Sequence, residues 1–261
     1  MRPAGRRNPV GAVARWVALV VAAVLFLLPF AVLVRDGLAA LPDVFADDRI
    51  PFGRSLLNST AVAVLQTAGQ LLLCSTAGYG LARIPFRGEP AVRHAIVATL
   101  LVPTAVTFVP SFVVVSSLGW LSDLRGLVVP GLFSALNVFL FRQYFLDFPA
   151  ALEEAGRLDG LSRWGVFRRV VVPNSTGVFA AVAVIDFVGS WNQFLWPLVI
   201  AQDSSSWTVQ VALSSLLTAQ NPQVPLLFAA AAVSLLPIVL VFALLQRHLV
   251  RGVTETGLTG R

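Results

Sequence analysis

The chain contains no lysine: all 19 of its basic residues are arginine. A Walker A loop places its lysine on the nucleotide phosphates, so the chain is not a conventional P-loop ATPase in its own right. Schiff-base chemistry, which needs a lysine amine, is excluded with it. Charge of either sign is scarce, 12% of 261 residues, about half the ~25% usual in a soluble domain. The one cysteine, Cys74, forbids an internal disulfide and reads as a small core residue within an apolar run. Only two histidines occur, His94 and His248. No Gly-x-Ser-x-Gly, His-Glu-x-x-His or Cys-His arrangement is present, which argues against catalysis.

What the chain has in plenty is oil, 57% hydrophobic residues and a mean hydropathy of +0.80. Runs near the ~20 residues needed to cross a bilayer fall at 16–34, 57–81, 95–118, 127–145, 178–200 and 225–245. The first exceeds the ~7–15 apolar residues of a signal peptide and reads as a membrane span, not a removed leader. The expectation is an all-α integral membrane protein with six transmembrane helices. Pro103 and Pro110 should kink the third.

The net charge of +6 does not point to nucleic acid, because the arginines sit in a few loops instead of on one face. Arg35, Arg49, Arg54 and Arg125 apart, the arginines lie in the two tails, the second-to-third loop, the last residues of the fourth run (Arg142) or the stretch after it. The four exceptions are mixed with Asp36, Asp43, Asp47, Asp48 and Asp123. By the positive-inside rule both termini are cytoplasmic, as an even number of spans requires. The division expected is 1–53 for tail, first helix and outer loop, 54–246 for a five-helix core, and 247–261 for a second tail.

One long charged interruption, "ALEEAGRLDGLSRWGVFRRVVVPN", then falls in a cytoplasmic loop, 149–173. Pro149 suits a first helical turn, and Glu153 with Arg157 supports a short helix at i,i+4. Gly160 should break it and Ser162 cap a second helix, on which Trp164, Phe167 and Val170 or Val171 share one stripe between Arg163, Arg168 and Arg169. Pro173 closes the unit. An amphipathic loop lying on anionic headgroups is the plainer reading. It leaves two acids, an Asp-Gly turn and an aromatic ridge in one compact unit unexplained; a rigid plug for a partner's groove accounts for them.

"LEEAGRLDGLSRWGVFRRVVVP" resembles the EAA loop of ABC importer permeases, with Glu154, Ala155, Asp159, Gly160 and Pro173 matching and Gly156 standing where a second alanine is usual. "LLNSTAVAV", "AGYGLARIPFRG", "LVPTAVTFVPSFVVVSSLGW", "SWNQFLWPLVI" and "RHLVRGVTETGL" are similar to further segments of the carbohydrate-uptake type, in the family's order. The resemblance implies the type I ABC importer permease fold and a multi-pass bacterial inner-membrane subunit that is not itself an enzyme. It implies that Glu153, Glu154, Ala155, Gly156, Asp159, Gly160, Trp164, Phe167 and Pro173 couple to an ATPase subunit. It implies four kinds of partner: membrane lipid, a second homologous permease, a pair of ATP-binding subunits and an extracytoplasmic solute-binding protein. No cofactor is bound by this chain on that reading; ATP and Mg belong to the partner. The solute is expected to be a mono- or oligosaccharide.

For the solute path, Asp186, Gly189, Ser190, Gln193 and Pro197 fall on one side of the fifth span, with Trp191 and Asn192 adjoining and Asn58 on the second span a further candidate. An acid at membrane depth costs ~2.5–3.5 kcal/mol on insertion scales, so Asp186 should face a cavity or a partner. Amides would bond sugar hydroxyls and an indole offer a stacking plane. The competing reading is that these groups tie helices together, which also explains Asn58, Gln66 and Gln70. Trp120, Trp196 and Trp207 suit an interfacial belt.

Two rivals stand beside the importer. An ATP-independent secondary transporter or channel predicts coupling carboxylates and inverted repeats, for which Asp186 alone is thin support. An intramembrane protease could resemble "EEAGR", but the Glu-Glu-x-x-x-Arg spacing lacks one residue here.

Overall fold

The computed structural model describes residues 9–38, 40–46, 50–218 and 223–258; Asp47, Asp48 and Arg49 lie outside them. Every regular element among the described residues is helical. In chain order these are α1 (Pro9–Leu38), α2 (Leu41–Ala46), α3 (Phe52–Arg83), α4 (Glu89–Thr99), α5 (Thr104–Ser117), α6 (Leu124–Val128) and α7 (Ala135–Leu146). There follow α8 (Ala150–Leu158), α9 (Arg163–Val166), α10 (Val172–Asn174), α11 (Thr176–Trp191), α12 (Leu195–Ile200), α13 (Val209–Thr218) and α14 (Val224–Leu258).

Long apolar runs become helices because every backbone polar group must be satisfied within its own segment. Two described helices, Phe52–Arg83 and Val224–His248, are long and apolar enough to cross a bilayer unbroken. Three other segments are bent pairs. α4 and α5 meet at 98°, Leu124–Gly131 and Ala135–Leu146 at 42°, and Arg163–Asn174 and Thr176–Trp191 at 80°. α1 has 30 residues, with a described apolar stretch at Arg15–Leu28.

Three of the expected spans are therefore corrected. The third is not a kinked rod but two helices at a right angle. Pro103, which lacks an N–H and is itself extended (φ −61°, ψ 133°), stands between the end of α4 and the start of α5. Pro110 stays inside α5 without ending it. The fourth breaks where Ser134 caps α7 by accepting from Asn137 N at 3.3 Å. The fifth does not run to residue 200: α11 ends at Trp191, and the short α12 begins only at Leu195.

α3 is the central helix, lying along α7 and α11, while α11 and α1 both pack on α14. The closest crossing is with α7. A Cβ on Gly78 would sit 2.7 Å from Phe141 Cβ and 2.9 Å from Arg142 N, so only glycine lets the two backbones approach this far. Cys74 is fully buried at the same seam, its Sγ 3.5 Å from Ser134 O. Three apolar cores follow. One joins Tyr79, Phe141, Phe145, Phe167 and Val182 at the end of α3 that carries the charged loop. A second gathers Phe52, Phe187, Trp191 and Val209 with the α14 face at Ala229 and Ala230. A third wedges Val62, Val115, Leu127 and Ile200 between α3, α5, α6 and α12.

Candidate functional site

The charged stretch folds as a helical knuckle. Pro149 stands at the N-cap of α8, and α8 stops at Gly160, whose φ of +82° is open to glycine and strained for other residues. Gly160 N donates to Arg157 O at 3.0 Å, closing the turn. Ser162 Oγ accepts from Gly165 N at 3.2 Å and starts α9. A π-helical segment, Phe167–Val171, joins α9 to α10. Pro173 lies in that last turn, just before the chain swings by 80° into α11.

One acid fastens the knuckle to the central helix. Glu153 is buried, and its Oε2 accepts from the Tyr79 hydroxyl at 2.9 Å. Arg83 Nε lies 3.2 Å from Glu153 Oε1, and Arg157 Nη2 lies 3.8 Å from Oε2. The Arg83 Nε–H itself is aimed at Phe145 O, 2.7 Å away, and Nη2 donates to Phe148 O. One guanidinium thus holds the end of α7 and faces the carboxylate of α8 from the last turn of α3. Beneath this, Phe167 packs on Tyr79 with ring centroids 4.9 Å apart.

The nine coupling candidates consequently divide. Glu153, Gly156 and Phe167 point into the fold, whereas Glu154, Ala155, Asp159, Gly160, Trp164 and Pro173 are exposed. The expected single aromatic ridge is corrected here. Phe167 and Val171 are consumed by the core, and Trp164 alone stays 55% exposed, its ring 5.4 Å from that of Phe167. A Cβ on Gly156 would meet Val170 Cγ2 at 3.2 Å, because α8 lies close against the second half of the knuckle. Leu158, 89% exposed one turn after Glu154, was not singled out from the sequence. Its signal was an apolar side chain on the Glu154–Ala155 face of a short amphipathic helix. Tyr79 and Arg83, at i,i+4 on the last turn of α3, were likewise passed over.

The expected polar face of the fifth span does not survive as one face. Asp186 is buried and accepts from Asn137 Nδ2 at 2.8 and 2.9 Å. Asn137 also donates to Gln70 Oε1, and Gln70 donates to Gly131 O. Ser190 Oγ donates to Gln66 Oε1 at 2.7 Å, and Gln66 Nε2 donates to Leu127 O at 2.8 Å. These groups form a seam joining α3, α7 and α11, so the interhelical reading holds for Asp186, Ser190, Gln66 and Gln70. Trp191 is buried against Phe187, which removes its ring as a stacking plane. Asn58 Nδ2 donates to Ser205 O and Trp207 O and clamps the loop before α13. Asn192 and Gln193 are exposed, at the break after α11, where Asn192 Oδ1 accepts from Gln210 Nε2 at 3.2 Å. Among the described residues, no group of three or more His, Cys, Asp or Glu could hold a metal ion.

A family model described as binding-protein-dependent transport system inner membrane component matches residues 71–255. The chain is 30% identical over 203 residues to the arabinooligosaccharides transport system permease protein AraQ of Bacillus subtilis, covering 78% of this chain and 72% of that one. It is 35% identical over 195 residues to the lactose transport system permease protein LacG of Rhizobium radiobacter, covering 75% and 71%. It is 35% identical over 208 residues to the sn-glycerol-3-phosphate transport system permease protein UgpE of Yersinia pestis, covering 79% and 74%. In fold it is similar to a chain from the crystal structure of a bacterial ABC transporter involved in the import of the acidic polysaccharide alginate. The TM-score is 0.81 at 20% identity, over 95% of this chain and 99% of that one.

Proposed function

The chain belongs to the family of binding-protein-dependent transport system inner-membrane components, and from that premise we propose that it is the permease subunit of an ATP-driven importer of saccharides. It crosses the membrane six times, with both termini in the cytoplasm. The knuckle at 149–173 enters a socket on a partner ATPase, which carries the ATP and Mg; a second permease completes the path, and an extracytoplasmic binding protein delivers the solute. The core at 54–246 makes the path and the flanking segments anchor it.

The observation that carries this reading is the two-sidedness of the knuckle. Its inner side is tied through Glu153 to Tyr79 and Arg83 of the central helix. Its outer side leaves Leu158 and Trp164 uncovered beside Glu154. Large apolar side chains exposed on a charged loop suit a protein partner, and the inward anchor turns a push on them into motion of α3. Saccharide is favoured as solute by the exposed amides Asn192 and Gln193 with the half-buried Gln210 beside them, which are neutral and offer both donors and acceptors to hydroxyls.

Reconstitution with the partner subunits tests the proposal. Uptake of a saccharide should require ATP and survive collapse of ion gradients. Leu158→Asp should lower solute-stimulated ATP hydrolysis while the subunit still inserts. Uptake by this chain alone, driven by an ion gradient, would return the secondary-transporter reading.

A further inference from the structure

α4 is a helix without a buried residue. Its half-buried row, Glu89, Arg93 and Ile96, is turned toward α7. Between the two helices lies a cleft of about 90 Å³. Arg93 of α4 and Arg142 of α7 both line it, with Gln143 beside them, and Ile96, Val138 and Phe139 make its walls apolar. Arg142 Nε is buried and has no hydrogen-bond partner among the described residues. The one acid at hand is Glu89, 3.2 Å from Arg93 Nε and 3.8 Å from Arg142 Nη2. The second distance is too long for a hydrogen bond, so Glu89 serves Arg93 and leaves the group with a surplus positive charge.

We propose that this cleft holds the phosphate of an anionic phospholipid. An unmet guanidinium N–H in a buried position is costly, and a phosphate oxygen meets it with a charge-assisted bond in the geometry of the arginine fork. The cleft takes a phosphate group and little more, so the rest of the ligand must lie outside it. Val97 lines it and is itself partly exposed, and outside it Val92 and Leu100 are exposed on α4 and just after it, a surface suited to acyl chains and not to water. A free phosphate ion would use the arginines but gain nothing from that apolar flank. Basic pockets between membrane helices are places where lipid headgroups bind.

The full chain, purified in detergent, can be exposed to an equimolar mixture of phosphatidylglycerol and phosphatidylcholine and the retained lipid read by native mass spectrometry. We expect retention of phosphatidylglycerol over phosphatidylcholine by about tenfold, the equivalent of one charge-assisted bond. Arg142→Gln should bring the ratio to near unity. Arg93→Gln should do so as well, and it changes a half-exposed residue on a helix that has no buried residue, so the fold is kept. Arg168→Gln, on the exposed face of the knuckle, should leave the ratio unchanged. An equal ratio in wild type and Arg93→Gln overturns the proposal, as does a ratio that follows Arg168 instead. Inorganic phosphate bound at the same arginines with no lipid preference would make this a free-anion site and overturn it too. The readout needs neither ATPase nor transport, so its failure leaves the coupling proposal untouched.

Discussion

Glu153 is the residue on which most of the knuckle's attachment converges. Its Oε2 takes the Tyr79 hydroxyl and its Oε1 faces Arg83, all in surroundings nearly closed to water. Removing Glu153 leaves the buried Tyr79 hydroxyl without its acceptor, at a typical cost of about 1–3 kcal/mol, while Arg83 keeps its bonds to Phe145 O and Phe148 O. Glu153→Ala should therefore lower the thermal unfolding midpoint in detergent far more than Glu154→Ala, whose side chain is exposed. Tyr79→Phe, which deletes one bond to a charged acceptor, should cost about 1.5–3 kcal/mol by the same measurement. At the far end of the molecule Asp123 caps α6, accepting from Arg125 N at 2.7 Å. The Arg125 guanidinium, then that backbone N–H, hold its carboxyl down to about 2. A depressed carboxyl lends stability that is whole above its unfolded value, ~3.9, and is lost as pH falls through the folded one. Asp123→Asn should thus lower the unfolding midpoint by a constant amount from pH 5 to 8, and that deficit should shrink in acid as the wild-type carboxyl takes up its proton.

Among the elements, the knuckle was the most legible, because its punctuation is local: Pro149, Gly160, Ser162 and Pro173 each act within a turn of themselves. Gly160→Pro attacks that punctuation directly. It removes the N–H that bonds Arg157 O and forbids a φ of +82°. The variant should still insert in the membrane and should lose solute-stimulated ATP hydrolysis; normal stimulation would sink the docking role. Trp164 and Phe167 show where local reading ran out. They sit three residues apart on one stripe, yet Tyr79 and Phe145, far away in sequence, claim Phe167 for the core and leave Trp164 outside. The breaks within the spans escaped for a kindred reason. An apolar run records that a segment is buried in oil or protein, not that it turns through 98° at Pro103 or halts at Trp191. The polar residues of α3 and α11 were visible as a pattern, but nothing local told Gln66 that its partners were Ser190 and Leu127.

For the whole molecule, α3 is the part through which the ends communicate. It meets the knuckle through Tyr79 and Arg83, α7 at Gly78, α11 through Gln66, and the loop before α13 through Asn58. Gly78→Val should cost about 1–3 kcal/mol or more in unfolding experiments, since the added carbons must push apart two backbones already in contact. A rigid helix tied at so many points shifts as a body, which suits a subunit that is driven from one end. The sealed position of Cys74 has a practical corollary. As the chain's sole thiol, with no exposed surface, it is shielded from maleimide dyes in the folded protein, so a cysteine introduced at Leu158 or at Gln193 would be the single labelling point. Paired spin or fluorescent reporters at those two places would follow both ends of the subunit through the working cycle without first stripping the native sulfur.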